Sequence, residues 1–121
     1  MADAERFTWD EMDSDAPMPL LSRQRVIGAK SMVSRVVLEA GCQVPSHAHE
    51  YEQISCVVEG ELRMHVGDPA RTVTLRAGDV LLIPSNLPHG AEARRRTVVF
   101  DIFSPPSERT GIDAAGTERG A

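Results

Sequence analysis

The sequence predicts a small all-β domain, a sandwich or a barrel. Turn signals recur about every 8 to 12 residues, and short alternating or continuous apolar segments lie between them. No segment carries apolar residues at helical spacing. The length of 121 residues fits one domain, and a content of 41% hydrophobic and 26% charged residues is ordinary for a globular protein.

The strand segments follow one another in the middle of the chain. The first is rich in β-branched residues, which favour strands. Two others alternate apolar and polar residues, which is typical of half-buried strands, and the turn at 67–70 joins them. Pro84 stops a continuous apolar run, which indicates a buried strand. The predicted strands are 31–39, 54–59, 62–66, 72–76, 80–83, 88–93 and 97–103.

Three parts of the chain differ in composition. Residues 1–23 form an acidic arm in which Pro17 and Pro19 oppose a helix. Phe7 and Trp9 could anchor this arm on the barrel or on a partner subunit; the alternative is a loosely ordered tail. The barrel is predicted over 24–104. A polar tail rich in Gly, Ala and Thr follows at 105–121, and we expect it to be flexible.

Charge and composition exclude several classes of function. The net charge of −5 argues against a nucleic-acid partner, because phosphate binding needs a concentrated positive field. No apolar run is long enough for a membrane span, and the acidic N-terminus lacks the apolar core of a secretory signal. Two cysteines, Cys42 and Cys56, are too few for a disulfide scaffold, so we expect reduced thiols and a cytoplasmic protein.

Two histidines indicate a metal site. His47 and His49 are two residues apart, and Gln53 follows four residues later. If the chain is extended here, these odd-numbered positions share one face of a strand. Imidazole is a common ligand for divalent metals, and an amide oxygen can add a harder contact. The alternative is a pair of ordinary strand histidines.

Two later residues strengthen the metal hypothesis. His89 follows a buried strand, Pro84 and Pro88, and the intervening strands could return the chain beside the first two histidines. Asp101 interrupts the apolar run 98–103. A carboxylate on an inner barrel face is costly unless it is paired, protonated or near a metal, so Asp101 is a candidate general acid or base. The alternative is an edge strand with Asp101 facing water.

Two spaced motifs in this region resemble those of the cupin superfamily, over about residues 30 to 103. The first motif is Gly41, five residues, His47-Ala48-His49, three residues, Gln53, six residues and Gly60; the second is Gly78, five residues, Pro84 and then His89. The resemblance implies a single-domain cupin β-barrel, a double-stranded jelly roll. Gln53 stands where most cupins carry glutamate, and Asn86 and Ala93 replace a glycine and an asparagine of the second motif.

The Gln-for-Glu change and the Asp-x-Phe on the last strand are similar to the KdgF-type cupins, which ketonise 4,5-unsaturated uronates. This resemblance implies that a divalent transition metal (Mn, Fe, Ni or Zn) is held by His47, His49, Gln53 and His89. It implies catalytic roles for Asp101 and Phe103. The expected activity is a non-redox isomerisation of a small sugar acid in carbohydrate metabolism, with the metal as Lewis acid and a carboxylate moving a proton.

The sequence does not exclude two other functions. A metal-dependent dioxygenase on a small organic substrate and a non-catalytic ligand-binding cupin share the same motifs, because a fold does not determine chemistry. Arg35 and Arg63 lie within strands and could pair with a substrate carboxylate, although outward placement is an alternative for each. Exposed strand edges and a small core predict a homodimer.

Overall fold

The computed structural model describes residues 2–107, and these form two antiparallel sheets that enclose one core. The all-β class predicted from the sequence is confirmed. The ten strands are β1 (Asp15–Met18), β2 (Leu21–Ile27), β3 (Met32–Leu38), β4 (Gln43–His47), β5 (Glu52–Glu59), β6 (Glu61–Val66), β7 (Arg71–Arg76), β8 (Val80–Ile83), β9 (His89–Ala93) and β10 (Thr97–Ser104). Most of the predicted tail lies outside the described residues.

The strand order is that of a jelly roll. One sheet has six strands in the order β1-β2-β3-β10-β5-β8, and the other has four in the order β4-β9-β6-β7. Apolar side chains from both sheets fill the space between them, as expected when strands bury every second residue. The core cluster comprises Leu21, Val36, Leu38, Cys42, Val57, Leu62, Met64, Val66, Leu75, Ile83, Ala91, Ala93 and Val99.

Seven strands lie where the sequence predicts them, and three had no sequence prediction of their own. β1 and the first residues of β2 fall inside the predicted arm 1–23, and β4 carries the first histidine. The three missed strands have weak signals: β1 and β4 each contain a proline, and polar residues alternate irregularly in β2. The division into arm, barrel and tail stays a prediction.

The N-terminal segment is attached to the outer face of the six-stranded sheet. Trp9, in a short 3₁₀ turn (Trp9–Glu11), stacks its ring on Phe100 with 5.8 Å between centroids. The Gln24 side-chain amide donates hydrogen bonds to the backbone carbonyls of Trp9 (2.6 Å) and Met12 (3.0 Å). Phe7, the other predicted anchor, is half exposed.

No helix among residues 2–107 is long and apolar enough to cross a lipid bilayer.

The last strand sets which side chains face the interior. β10 lies between β3 and β5, and the pairing register aligns Asp101 with Ser34 on one side and Ser55 on the other. Phe103 is aligned with Gln53 on β5. Because strand side chains alternate between faces, Asp101 and Phe103 both point inward, and the alternative of a water-facing Asp101 on an edge strand is wrong.

The second sheet brings two histidines together across β4 and β9. His47 is aligned with His89, and the register of β4 shifts just before this pair. Gly90 is needed beside them, because a Cβ at this position would lie 2.7 Å from the Val44 carbonyl oxygen and 3.0 Å from the Ser46 amide nitrogen. The backbone of β4 therefore passes over residue 90 at a distance that only glycine permits.

We predict that Gly90→Ala separates the two histidine-bearing strands. The added methyl group has to push β4 outward, so the free energy of unfolding should fall by about 1–3 kcal/mol. Metal affinity should fall as well, because His47 moves with β4. Urea denaturation and titration with Zn²⁺ measure the two effects.

Gly41→Ala is the matched control. Gly41 has a φ of +92°, but the nearest atom to an added Cβ is Leu20 Cδ1 at 3.7 Å, so the substitution strains the backbone without a clash. It should cost about 1–2 kcal/mol of stability and leave metal affinity unchanged. Wild-type metal affinity in Gly90→Ala would contradict the prediction.

Candidate metal centre

The four predicted ligands come from four separate places in the fold. His47 ends β4, Gln53 lies in β5 and His89 begins β9, while His49 lies in the connection between β4 and β5. The expectation that His47, His49 and Gln53 share one strand is wrong, because the chain leaves the sheet at residues 48–51. They meet because the β4–β5 connection crosses from one sheet to the other at the end of the barrel where β9 begins.

The three imidazoles form a compact cluster. One ligand nitrogen from each of His47, His49 and His89 lies within 4.8 Å of the others. Ring centroids are 4.4 Å apart for His47 and His89, 4.9 Å for His49 and His89, and 5.7 Å for His47 and His49. An ion placed among the nitrogens could contact all three.

Backbone carbonyls orient all three rings in the same way. The Nδ1 atoms of His47, His49 and His89 each lie 2.9 Å from a carbonyl oxygen two residues away, those of Pro45, Tyr51 and Leu87 respectively. A carbonyl only accepts, so Nδ1 carries the proton in each ring and donates it. The Nε2 lone pairs are thereby left for coordination, which is the usual support of a metal-bound histidine.

Two observations show that a cation fits this cluster. His89 Nε2 is buried and has no hydrogen-bond partner among the described residues. His49 Nε2 lies 3.1 Å from Gln53 Oε1. With Nδ1 protonated, a neutral His49 presents a lone pair to this amide oxygen, and two acceptors face each other. A metal ion bound by both atoms, and by His89, would satisfy every one of these groups.

The electrostatic environment favours neutral histidine at this site. The pKa of His89 is lowered to about 4, mainly by burial and to a smaller extent by the neighbouring His47 and His49, while the hydrogen bond to the Leu87 carbonyl acts in the opposite direction. Protons therefore do not compete with a metal for His89 near neutral pH.

Gln53 connects the histidine cluster to a buried carboxyl group. Its Nε2 donates to Ser55 Oγ (3.0 Å) and to Asp101 Oδ1 (3.2 Å), and Ser55 Oγ donates to the same Asp101 oxygen at 2.6 Å. Burial raises the pKa of Asp101 to about 6, and the hydrogen bonds from Ser55 and Gln53 limit the rise. A carboxyl group with this pKa can both accept and release a proton near neutral pH.

Aromatic rings close one side of the cluster. Tyr51 lies parallel to the His49 ring with 4.2 Å between centroids. Phe103 meets His49 and Tyr51 edge to face, at 6.0 Å and 5.7 Å. These contacts hold the His49 ring from two directions, so Phe103 and Tyr51 restrict the orientation of a candidate ligand.

A pocket inside the barrel joins these groups. His47, Gln53, His89, Asp101 and Phe103 all line it. The remaining walls are mostly apolar and come from both sheets.

Arg23 also lines the pocket, and sequence reasoning missed it. It lies in β2, within the segment assigned to the arm, where the only available signal was the alternation around Leu21. Arg35 and Arg63, which the sequence suggested instead, do not line this pocket. Arg35 is within 3.5 Å of the Gln24 side-chain oxygen, and Arg63 pairs with Glu61 at 3.8 Å.

Comparison with known proteins agrees with this architecture. The sequence matches the family model of the Cupin domain over residues 34–103, more than half of the chain. The chain belongs to the cupin family. The predicted fold, a single-domain cupin β-barrel or double-stranded jelly roll, is therefore confirmed.

Two small cupins of known structure superpose on nearly the whole barrel. An RmlC-like cupin from Shewanella frigidimarina is 29% identical with a TM-score of 0.79, covering 89% of this chain and 97% of that one. KdgF from Halomonas sp. is 27% identical with a TM-score of 0.81, covering 88% and 97%. The chain is thus similar to KdgF in fold and in size.

A curated relative matches a shorter region. The H2HPP isomerase of Bacillus subtilis is 41% identical over 61 residues, which is 49% of this chain. The chain spans about a quarter of the length of that relative.

We predict that Asp101→Asn stabilises the metal-free protein at neutral pH. The pKa of Asp101 is about 6 in the folded state against an ordinary 3.8, so the folded state binds more protons than the unfolded chain between these values. Stability therefore falls as pH rises from about 4 to above 6, and Asn removes this loss. The Asn oxygen can still accept from Ser55 and Gln53.

The expected gain at pH 7.5 is roughly 1–3 kcal/mol, and it should disappear below about pH 4. Urea denaturation at several pH values measures it in protein treated with a chelator. Asp3→Asn, on the exposed arm, is the control. Equal stability of Asp101→Asn and wild type at pH 7.5 would show that the carboxyl group carries no burial penalty.

Proposed function

We propose that this cupin is a metal-dependent, non-redox isomerase of a small sugar acid, a 4,5-unsaturated uronate. The single observation that carries the proposal is the position of Gln53 between the two groups, since its Oε1 lies 3.1 Å from His49 Nε2 and its Nε2 donates to Asp101 Oδ1 at 3.2 Å. Gln53 thereby joins the candidate metal cluster to a carboxyl group suited to proton transfer. Similarity to KdgF supports the substrate class, and similarity to an isomerase supports the reaction class.

In this proposal His47, His49, Gln53 and His89 hold a divalent transition metal, one of Mn, Fe, Ni or Zn. When bound, the ion supplies positive charge that polarises an oxygen atom of the sugar. All four donors are neutral, so they do not offset the charge of the ion, and an anionic substrate is favoured over a neutral one. Affinity alone does not select among these metals.

Asp101 is proposed as the general acid and base. Ring opening of a cyclic hemiacetal moves a proton from the anomeric hydroxyl group to the ring oxygen, which becomes an enol hydroxyl group, and ketonisation moves the enol proton to carbon. Reactant and product are isomers, so one group that accepts and then returns a proton is sufficient. Ser55 and Gln53 both donate to Oδ1, which orients the carboxyl group.

Phe103 is proposed to contribute by shape. A hydrocarbon ring transfers no protons, but Phe103 is almost fully buried, lines the pocket and contacts the His49 ring. It therefore excludes water from the reacting groups and limits the movement of one ligand.

The free thiols Cys42 and Cys56 support the cytoplasmic location that we propose for the enzyme.

We predict that the purified protein converts unsaturated galacturonate to its open-chain ketone, as followed by NMR, and that chelation abolishes this activity. His49→Ala should lower metal content, measured by elemental analysis of protein purified without a nickel column.

Asp101→Asn should retain the metal and lose about 100-fold or more in kcat, because general acid–base catalysis typically contributes that factor.

Glu52→Gln is the matched control for Asp101→Asn, since Glu52 is an exposed carboxylate at the start of β5. A rate no higher than the uncatalysed background would reject the isomerase. Oxygen consumption by the Fe(II)-loaded protein would instead indicate a dioxygenase. Ligand binding without turnover or oxygen consumption would indicate a binding protein.

We also propose that the protein is a homodimer formed through the β8 edge of the six-stranded sheet. An edge strand carries unpaired backbone groups that a second copy can pair with. Val80 and Leu82 on β8 are 61% and 57% exposed, and Val58 on the adjacent β5 and Ile102 on the next strand, β10, are also exposed. A second copy would cover this apolar face.

Leu82→Glu should convert a wild-type dimer to a monomer in size-exclusion chromatography with light scattering, because it places a charge in the proposed interface. Leu20→Glu is the control, since Leu20 is 50% exposed but lies in the β1–β2 turn. A monomeric wild type, or a dimeric Leu82→Glu, would reject this interface.

A further inference from the structure

An arginine is buried in the wall of the candidate active pocket. The Arg23 side chain is only 3% exposed, and it lines the same pocket as His47, His89, Gln53 and Asp101. Among the described residues that line this pocket, Arg23 is the one permanently charged side chain. Asp101 is the one acid there.

Asp15 fixes the orientation of this arginine. Arg23 Nε donates to Asp15 Oδ1 at 3.0 Å and Nη2 donates to Oδ2 at 3.2 Å, which is a bidentate pair across β1 and β2. The same carboxylate lies 3.5 Å from Arg25 Nη2. The guanidinium plane is therefore held in place before any ligand enters, which reduces the entropy lost on binding.

Stability alone gives little reason for an arginine at this position. The Asp15 side chain is 46% exposed, and ion pairs with an exposed partner contribute little to stability. A buried ion pair is often replaced by apolar residues without loss of stability. The pocket neighbours Leu21 and Val36, which flank Arg23 along β2 and across to β3, would accommodate such a residue.

We propose that Arg23 binds the carboxylate of the substrate and makes the pocket selective for sugar acids over neutral sugars. This inference rests on the proposed function and assigns the recognition of its acid group. Asp15 occupies the Nε–Nη2 edge of the guanidinium fork, so in this proposal the Nη1–Nη2 edge receives the carboxylate, which it matches in geometry and in charge. Arg23 belongs to the six-stranded sheet, and His47 and His89 belong to the four-stranded sheet. A ligand held by Arg23 thus lies between the sheets, with its hydroxyl groups toward the histidines.

Calorimetric titration of the metal-loaded protein with D-galacturonate and with its neutral methyl ester tests this assignment. The wild type should bind the acid about 10- to 100-fold more tightly than the ester, because a charged hydrogen-bonded pair contributes a factor of this size. Arg23→Met should lower the ratio of the two dissociation constants, ester over acid, by about 10-fold, to the preference that the bound ion gives by itself. Metal content, measured on each sample, should stay at the wild-type level.

Arg63→Met is the matched control, since Arg63 lies on a strand, pairs with a glutamate and does not line the pocket. It should keep the wild-type ratio. Arg23→Lys keeps the charge and loses the fork, so its ratio should fall between those of wild type and Arg23→Met. This variant also decides the question if Arg23→Met fails to fold.

An unchanged ratio in Arg23→Met or Arg23→Lys, or a wild type without preference for the acid, would overturn the assignment. The experiment separates this proposal from the isomerase proposal. Arg23-dependent selectivity without turnover would support the acid-binding role and reject the isomerase. Turnover by the wild type, with the ratio of dissociation constants and the KM unchanged in Arg23→Met, would support the isomerase and reject the acid-binding role of Arg23.

Discussion

The pairing of β10 with both β3 and β5 is the constraint on which the interior of this barrel depends. It aligns Asp101 with Ser34 and Ser55, and it places Phe103 beside Gln53. A shift by one residue would turn Ile102 inward and expose Asp101 on the outer face. The carboxyl group, its hydrogen-bond donors and the aromatic wall of the pocket are thus all positioned by one register. Val99, which is buried on the inner face of the same strand, helps to hold that register, because a one-residue slip would turn it outward.

Much of the fold could be predicted because its strands carry strong local signals. The alternation in β6 and β7 and the apolar run of β5 reflect burial. The apolar run 80–83 predicted a buried strand, and this is wrong, because β8 lies at the edge of its sheet with Val80 and Leu82 exposed. β1, β2 and β4 could not be predicted in this way. Pro17 and Pro45 fall within β1 and β4, and they suit strands at the edge of a sheet, where a missing N–H is tolerated. Sheet order depends on contacts between distant strands, which local patterns do not contain.

The candidate site was predictable in its residue types and not in its geometry. Spacing and chemistry pointed to His47, His49 and His89, and the structure brings these three together. The reason offered for the first pair, a shared strand face, was wrong, since His49 lies in a connection. Arg23 carried only the weak signal of alternation around Leu21, because a single arginine near an acidic segment resembles a surface residue. Its burial results from the closure of β1 on β2, which the sequence does not reveal.

The orientation of the Gln53 amide has a consequence for any redesign of this site. Its oxygen faces His49 and its nitrogen faces Asp101, so the side chain presents opposite polarity to its two neighbours. A glutamate at position 53 would direct a second carboxylate oxygen at Asp101, and one of the two groups would have to take up a proton. Positions 53 and 101 therefore constrain each other. An anionic ligand at position 53 requires a neutral side chain at position 101. Both residues therefore have to be substituted together.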